Sequence, residues 1–310
     1  MEIGSLNVVV LIASLMVAAT PILMAAIGEL VVEKAGVLNL GVEGMMITGA
    51  VSGFAIAVTT GSPVMGMLGA IIAGALMALI FGILTQVLMA NQVASGLALT
   101  LFGLGFSALV GQGFVGIVPP RTAKLDFGPL SDIPVLGQIL FRHDALVYVS
   151  LLMVAGVWYW LTRTRSGRIL RAVGENHDSA HALGYKVRRV RILAIMFGGA
   201  CAGLGGAYLS LIRVPQWTEG MTAGAGWIAL ALVVFASWRP WRALLGAYLF
   251  GGIMVLQLNL QAAGLRFPVE YLSMSPYLIT ILVLVIMSSS RARASLAAPG
   301  SLGQSFHAAG

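Results

Sequence analysis

Residues 6–27 read LNVVVLIASLMVAATPILMAAI, an apolar run long enough to cross a membrane. A helix rises about 1.5 Å per residue, so about 20 apolar residues span the roughly 30 Å hydrocarbon core of a bilayer. Similar runs recur along the chain, and 59% of its 310 residues are apolar while 9% are charged. Soluble domains carry about 25% charged residues. The sequence therefore predicts an all-α, polytopic transmembrane helical bundle.

The runs predict nine spans, and eight or ten stay open because residues 28–44 are ambiguous. The spans are 6–28, 43–60, 64–89, 94–116, 144–162, 191–212, 223–238, 243–262 and 272–288. Basic residues mark the cytoplasmic side, and 13 of the 18 fall on one side of this arrangement. We expect the N-terminus outside and the C-terminus in the cytoplasm. Residues 1–290 would form one transmembrane domain, and the small, polar segment 291–310 a disordered tail.

Several functional classes lack their signatures. The three lysines follow Glu, Ala and Tyr, so no Walker A loop is present. GQGFVG at 111–116 ends an apolar helix with no strand before it, which argues against a dinucleotide site. His177 and His181 stand four apart, but no third metal ligand is evident. We predict no catalytic residue, metal or cofactor in this chain, and no nucleic-acid partner, because topology accounts for the net charge of +7.

Residues 28–44, GELVVEKAGVLNLGVEG, place three acids directly after the first apolar run. A carboxylate at mid-membrane costs about 2.5–3.5 kcal/mol on insertion scales. We therefore expect Glu29 and Glu33 at the cytoplasmic boundary and Glu43 in the interior. Asn39 and Glu43 are four apart and would share a helical face. Either they belong to a broken segment that lines the substrate pathway, or Glu43 pairs with another helix and stabilises packing.

A second polar cluster, Asn91, Gln92 and Ser95, begins the fourth span. Either this cluster lines the pathway, or Asn91 caps the helix. Trp227 follows the glycine-containing stretch TAGAG. Its ring would either stack on a planar solute or anchor the helix at the membrane interface.

The basic segment 163–190 is longer than a simple turn requires. Within it, ENHDSAHALG predicts a short helix capped by Asn176 and ended by Gly184. Its apolar residues, Ala180, Ala182 and Leu183, are small enough to let the helix enter a groove on a partner. We expect this segment to be a cytoplasmic docking element.

Four stretches carry a resemblance to a known family. They are VLNLGVEGMMITGA (37–50), ANQVASGLALTLFGLG (90–105), GENHDSAHALGYKVRRVR (174–191) and GAGWIALALVVFASWRPWRALLGAYLFG (224–251). They resemble permease subunits of ATP-binding-cassette importers, in the simple-sugar and nucleoside (branched-chain amino acid/ribose-type) branch, over most of residues 15–288. The likeness is to the shorter permease of nucleoside- or purine-type importers. WRPWR departs from the usual turn, and the tail is unmatched.

The resemblance implies a multi-pass permease subunit of the bacterial inner membrane, surrounded by lipid, that takes up a nucleoside or purine-like base. A simple sugar is the alternative, and a secondary carrier is a more distant one. The implied partners are a second permease subunit forming a heterodimer, a cytoplasmic ATPase that binds ATP, and an external substrate-binding protein. The ATPase would contact the coupling residues, which are Gly174, Glu175, Asn176, Ala180, Leu183 and Gly184.

Overall fold

The computed structural model describes residues 2–3, 6–123, 125, 127–262, 274, 278, 281–282, 285 and 298–307. The described part begins with two short antiparallel strands, β1 (Glu2–Ile3) and β2 (Leu6–Asn7). Glu2 lies opposite Asn7 in this pair. All other regular structure in the described residues is helical.

The helices follow one another, most of them with short connections. They are α1 (Val8–Lys34), α2 (Val42–Thr60), α3 (Pro63–Gly82), α4 (Gln92–Gly111), α5 (Leu136–Leu140), α6 (Ala145–Arg163), α7 (Arg165–Glu175), α8 (His177–Ala182), α9 (Val187–Tyr208), α10 (Ala225–Phe235) and α11 (Pro240–Ala262). Longer connections precede α5 and α10. π-helical turns extend α3 (Ile83–Val87) and α9 (Leu209–Arg213), and 3₁₀ turns cover Gln112–Phe114 and Gly128–Asp132.

Seven helices of the described part are long and apolar enough to cross a membrane, which confirms the all-helical membrane class. The expected span 223–238 holds only the 11-residue α10, too short to cross. The expected span 272–288 lies almost entirely outside the described residues. The first helix continues to Lys34, so its predicted end at residue 28 is wrong. Nine spans and the orientation of the termini stay predictions.

Helix α9 lies at the centre of the bundle and packs against α1, α2 and α3. These contacts are close because glycines face one another. A Cβ on Gly49 would lie 2.3 Å from the Cα of Gly203, and one on Gly74 would lie 2.1 Å from the carbonyl oxygen of Gly199. Lipid offers helices little hydrophobic drive to associate, so close backbone approach holds them together. The small residues four apart in α2 and α9 form this interface.

The C-terminal segment differs from the sequence expectation. Residues 298–307 pack against the rest of the protein, and Phe306 is 4% exposed. The expectation of disorder, based on small and polar composition, does not hold for these residues. The remaining residues of the 291–310 tail lie outside the described part.

We expect Gly203→Ala to destabilise the bundle, because its Cβ would lie 2.2 Å from the carbonyl oxygen of Ala70. Overpacking of this kind costs about 1–3 kcal/mol. The measurement is the apparent melting temperature of the detergent-solubilised protein. Gly105→Ala is the matched control, since its Cβ would meet no atom within 4 Å. Equal melting temperatures for the two variants would contradict the packing described here.

Candidate functional site

The connection between α1 and α2, residues 35–41, leaves helical structure inside the bundle; we call it the α1–α2 segment. Helix α1 ends in a Schellman motif, in which Gly36 N–H donates to Glu33 O (2.9 Å) and Val37 N–H to Val32 O (3.3 Å). Gly36 has φ of +85°, which favours glycine. A Cβ there would also lie 2.9 Å from Arg191 Nη2. The break in the helix is therefore encoded locally.

Asn39 is fully buried in the α1–α2 segment. Its Nδ2 donates to Glu29 Oε2 (3.3 Å), and its Oδ1 accepts from Gly41 N–H (2.9 Å). Because α2 begins only at Val42, Asn39 and Glu43 do not share a helical face, and that prediction is wrong. Asn39 instead ties the segment to α1.

Helix α4 holds the other side of the α1–α2 segment. Leu38 N–H donates to Gln92 Oε1 (2.8 Å), and Thr100 Oγ1 donates to Leu40 O (3.1 Å). Gln92 is the one member of the predicted polar cluster that the structure brings to the segment. Asn91 is exposed and caps α4 by accepting from Ala94 N–H (3.0 Å), while Ser95 is half-buried nearby.

Glu43 bridges α2 and the start of α10. Its carboxylate accepts hydrogen bonds from the Thr222 hydroxyl, from Gly224 N–H (3.0 Å) and from Gly226 N–H (2.7 Å). An anion is stabilised at a helix N-terminus, where unpaired N–H groups point outward. The contacts correspond to the packing alternative for Glu43. Trp227, in the same turn, is 37% exposed.

Two further acids lie in the last turns of α1. Glu29 and Glu33 are each 1% exposed, and Trp238 Nε1–H donates to Glu33 Oε2. They are covered by protein, and their place at the cytoplasmic boundary of the membrane stays a prediction. Glu29 Oε1 and Gln92 Nε2 are buried and have no hydrogen-bond partner among the described residues. Such atoms are costly to bury unpaired, so they are the positions at which water or a polar solute would bond.

The predicted docking helix forms as α8. Asn176 Oδ1 accepts from Ser179 N–H (2.8 Å), and Gly184, at φ of +85°, follows its C-terminal end, so both caps are confirmed. Its face toward the bundle carries Ala180, which is 2% exposed, whereas Leu183 is 75% exposed. Ala180 is therefore not on the accessible surface where a partner would bind. Glu175, Asn176 and Gly184 are exposed, and Gly174 is buried.

Gly174 lies at the crossing of α7 and the end of α1. A Cβ there would lie 2.1 Å from the carbonyl oxygen of Lys34. The crossing joins the segment 163–190 directly to the α1–α2 segment, so the two predicted functional regions are neighbours in the fold.

Arg191, which the sequence analysis counted only as a topology signal, is fully buried. Its Nε donates to Ala35 O (3.1 Å), and its Nη1 donates to Gln304 O (2.9 Å). Its Nη2 lies 3.2 Å from His177 Nδ1. Three separate parts of the chain therefore contact one guanidinium, whose several N–H donors can bind several acceptors at once. No local pattern marks this arginine apart from its basic neighbours.

Burial lowers the pKa of His177, and the adjacent Arg191 charge lowers it further. The contact with Arg191 requires an unprotonated Nδ1, and Nε2 lies 3.5 Å from the Asp178 carboxylate. The imidazole is therefore neutral at physiological pH, with its proton on the side of Asp178.

The fold and these contacts define a helical membrane protein with a covered, non-helical polar segment beside a short exposed helix. The family described as branched-chain amino acid transport system / permease component matches residues 11–287. The chain belongs to this family.

Individual relatives carry transport names. A protein of Haloferax volcanii, provisionally named a glucose ABC transporter permease, is 41% identical. The match covers 94% of this chain and 95% of the length of that protein. The guanosine ABC transporter permease of Bacillus subtilis is 32% identical over 89% of this chain and 91% of its own. The nucleoside ABC transporter permease of Lactococcus lactis is 30% identical over 89% of this chain and 92% of the length of that protein. No solved structure matches the chain.

We expect Glu43→Gln to weaken the contact between α2 and α10, because an amide oxygen replaces a carboxylate that accepts three bonds. Hydrogen bonds to charged groups contribute about 1.5–3 kcal/mol, and the melting temperature should fall accordingly. Glu219→Gln, the same change at an exposed position, is the control. Unchanged stability with reduced uptake would instead assign Glu43 to the pathway.

The lowered pKa of His177 makes the packing around α8 sensitive to acid. The unfolded chain takes up this proton near pH 6.5, whereas the folded chain takes it up only at lower pH, so stability falls as pH drops below about 6.5. The melting temperature of the wild-type protein should therefore drop more between pH 7.5 and pH 5.5 than that of His177→Gln. His307→Gln removes an exposed charge that is the weakest of the influences on the pKa of His177, so its pH profile should stay closer to that of wild type. Parallel pH profiles for wild type and His177→Gln would refute this.

Proposed function

We propose that this chain is the membrane-spanning permease of an ATP-binding-cassette importer for a neutral solute that contains a sugar ring. Its family is described as a permease component of branched-chain amino acid transport, and three relatives are named permeases for glucose, guanosine or nucleosides. These proteins are transporter components, not enzymes. The family implies a separate ATPase and a substrate-binding protein. The chain itself is a multi-pass protein of the inner (plasma) membrane, with seven apolar helices in its described part.

The family match over residues 11–287 carries this proposal. The relatives name glucose, guanosine and nucleosides, which share a sugar ring and lack net charge. The sequence motifs favoured a nucleoside or purine-like base, and the relative of highest identity among the three favours glucose. The sugar ring is common to a nucleoside and to glucose, so the proposal keeps these two solutes and leaves out a free purine-like base.

The α1–α2 segment, together with Gln92, is our candidate for shaping the solute pathway. Asn39 and Gln92 hold its non-helical backbone in place, and unpaired polar atoms of Glu29 and Gln92 remain beside it. These groups suit hydroxyl recognition, because a neutral polyol both donates and accepts hydrogen bonds. Asn91, Ser95 and Trp227 lie nearer the surface, where a second permease subunit would complete the pathway. We propose a related chain as that subunit, giving a heterodimer.

The exposed side of α8 is our candidate for ATPase docking. Leu183 is the most exposed apolar residue there. Glu175 and Asn176 at the start of α8, and Gly184 at its end, are also exposed. Exposed apolar side chains rimmed by polar residues are typical of protein interaction sites. Gly174 would contribute indirectly, because its lack of a side chain allows α7 to cross the end of α1.

The test is uptake into proteoliposomes that contain the complete complex and its substrate-binding protein. Uptake of labelled glucose or guanosine should require ATP, and the solute that competes best identifies the substrate class. Leu183→Asp should reduce both the recovered ATPase and uptake by about tenfold or more, since residues at the centre of an interface contribute about 2 kcal/mol.

Val118→Asp is the matched control, because Val118 is 78% exposed but lies far along the chain from α8. It should leave ATPase recovery unchanged. Uptake by the isolated chain without ATP would overturn the proposal in favour of a secondary carrier. ATPase recovery unaffected by Leu183→Asp would overturn the docking assignment alone.

A further inference from the structure

The C-terminal segment 298–307 lies against the base of the docking helix. Ser301 N–H donates to Gly174 O (2.8 Å), and Ser301 Oγ accepts from His177 N–H (3.2 Å). Gly300 N–H lies 3.4 Å from Glu175 Oε2. These bonds satisfy backbone groups at the junction of α7 and α8, so the segment completes that junction.

The same segment reaches the α1–α2 segment. Gly303 N–H donates to Gly36 O (3.2 Å), and Gln304 O accepts from Arg191 Nη1 (2.9 Å). Arg191 donates in addition to Ala35 O. One stretch of ten residues thus bonds directly to the end of α7, to α8, to α9 and to the break after α1.

Phe306 fills the space beneath α8. Its ring centre lies 5.4 Å from that of His177 and 5.2 Å from that of His181, both edge-on. Val173, Ala180 and Val187 surround it in one apolar cluster. The opposite side of α8, with Asp178, Ser179 and Leu183, remains exposed. The segment therefore supports α8 from within and leaves its outer surface accessible.

Helix α8 has only six residues, and helices shorter than about 12–15 residues are marginal without tertiary packing. Phe306 and Ser301 supply much of that packing. We propose that residues 298–307 position α8 relative to the α1–α2 segment, so that a displacement of α8 by the ATPase is transmitted to the solute pathway. This inference rests on the proposed docking of the ATPase at α8.

In this arrangement Phe306, Ser301 and Arg191 are positioning residues. Phe306 holds the inner side of α8, Ser301 joins α8 to α7, and Arg191 joins the segment to the α1–α2 segment. Force applied at the outer side of α8 then moves a single packed unit. Without the segment, α8 would keep only the Arg191–His177 contact and the crossing of α7 with α1 as links to the α1–α2 segment, and less of its displacement would reach the pathway.

The main experiment compares Phe306→Ala with His307→Ala in the reconstituted complex. His307 is adjacent but exposed, so its variant should match wild type. Phe306→Ala should retain the ATPase on purification but lower the solute transported per ATP hydrolysed by about fivefold or more, the lower end of typical coupling between sites. Phe306→Leu, which refills the apolar space, should restore most of the ratio. An unchanged ratio for Phe306→Ala would overturn the inference.

A cross-link distinguishes a positioning segment from one that must detach. The Cβ of a residue at 303 would lie 3.9 Å from Leu38 Cβ, within the range of about 3.5–4.5 Å found in disulfides. In a Cys201→Ser background, Leu38→Cys with Gly303→Cys should transport equally when oxidised and when reduced. A cysteine at 303 strains the backbone, because Gly303 has φ of +74°. The reduced form of the same double variant is therefore the reference. Loss of transport on oxidation and recovery with reductant would overturn the inference.

Failure of the docking proposal has a different outcome. If Leu183→Asp leaves ATPase recovery intact, the ATPase binds elsewhere, whatever Phe306→Ala does. If Leu183→Asp releases the ATPase while Phe306→Ala keeps a normal transport ratio, docking stands and the positioning role of residues 298–307 falls. Should Phe306→Ala not assemble, Ser301→Ala removes one bond at the same junction and is measured by the same ratio.

Discussion

Backbone N–H and C=O groups that leave a helix in the covered interior of a protein must find partners within it, because solvent does not reach them. The α1–α2 segment is where this constraint acts in the present fold. Its Leu38 N–H binds Gln92, its Leu40 O binds Thr100, and its Ala35 O binds Arg191. Gly303 N–H in turn donates to Gly36 O of the same segment. The position of α4, the burial of an arginine and the docking of the C-terminal segment all follow from the need to satisfy this one break.

Features set by local chemistry were predictable from the sequence. Hydropathy identified the long helices because the cost of exposing polar groups to lipid acts residue by residue. The caps at Asn176 and Gly184 were predictable because a cap depends on residues only a few positions away. The break after α1 was also visible, since Gly36 and Gly41 interrupt the apolar run and polar residues follow.

Features set by distant contacts were not predictable. The partners of Glu43 lie 179 or more residues away, and TAGAG reads locally as a flexible turn. Arg191 lies among other basic residues, and only three-dimensional packing separates it from them. The C-terminal segment has a composition typical of disorder, yet Phe306 enters an apolar space that other elements create. Helix α10 was expected to be a full span because apolar residues on both sides extend the run, while the glycines before it and the turn after it shorten the helix.

The bridge between Glu43 and the start of α10 also bears on biosynthesis. Residue 43 leaves the ribosome 179 residues before Thr222. At about 5–20 residues per second, roughly 10–35 s separate their synthesis. Throughout that interval the carboxylate has none of its final donors, so water must supply its hydrogen bonds. The final packing of α2 against α10 thus waits on translation of the last third of the chain.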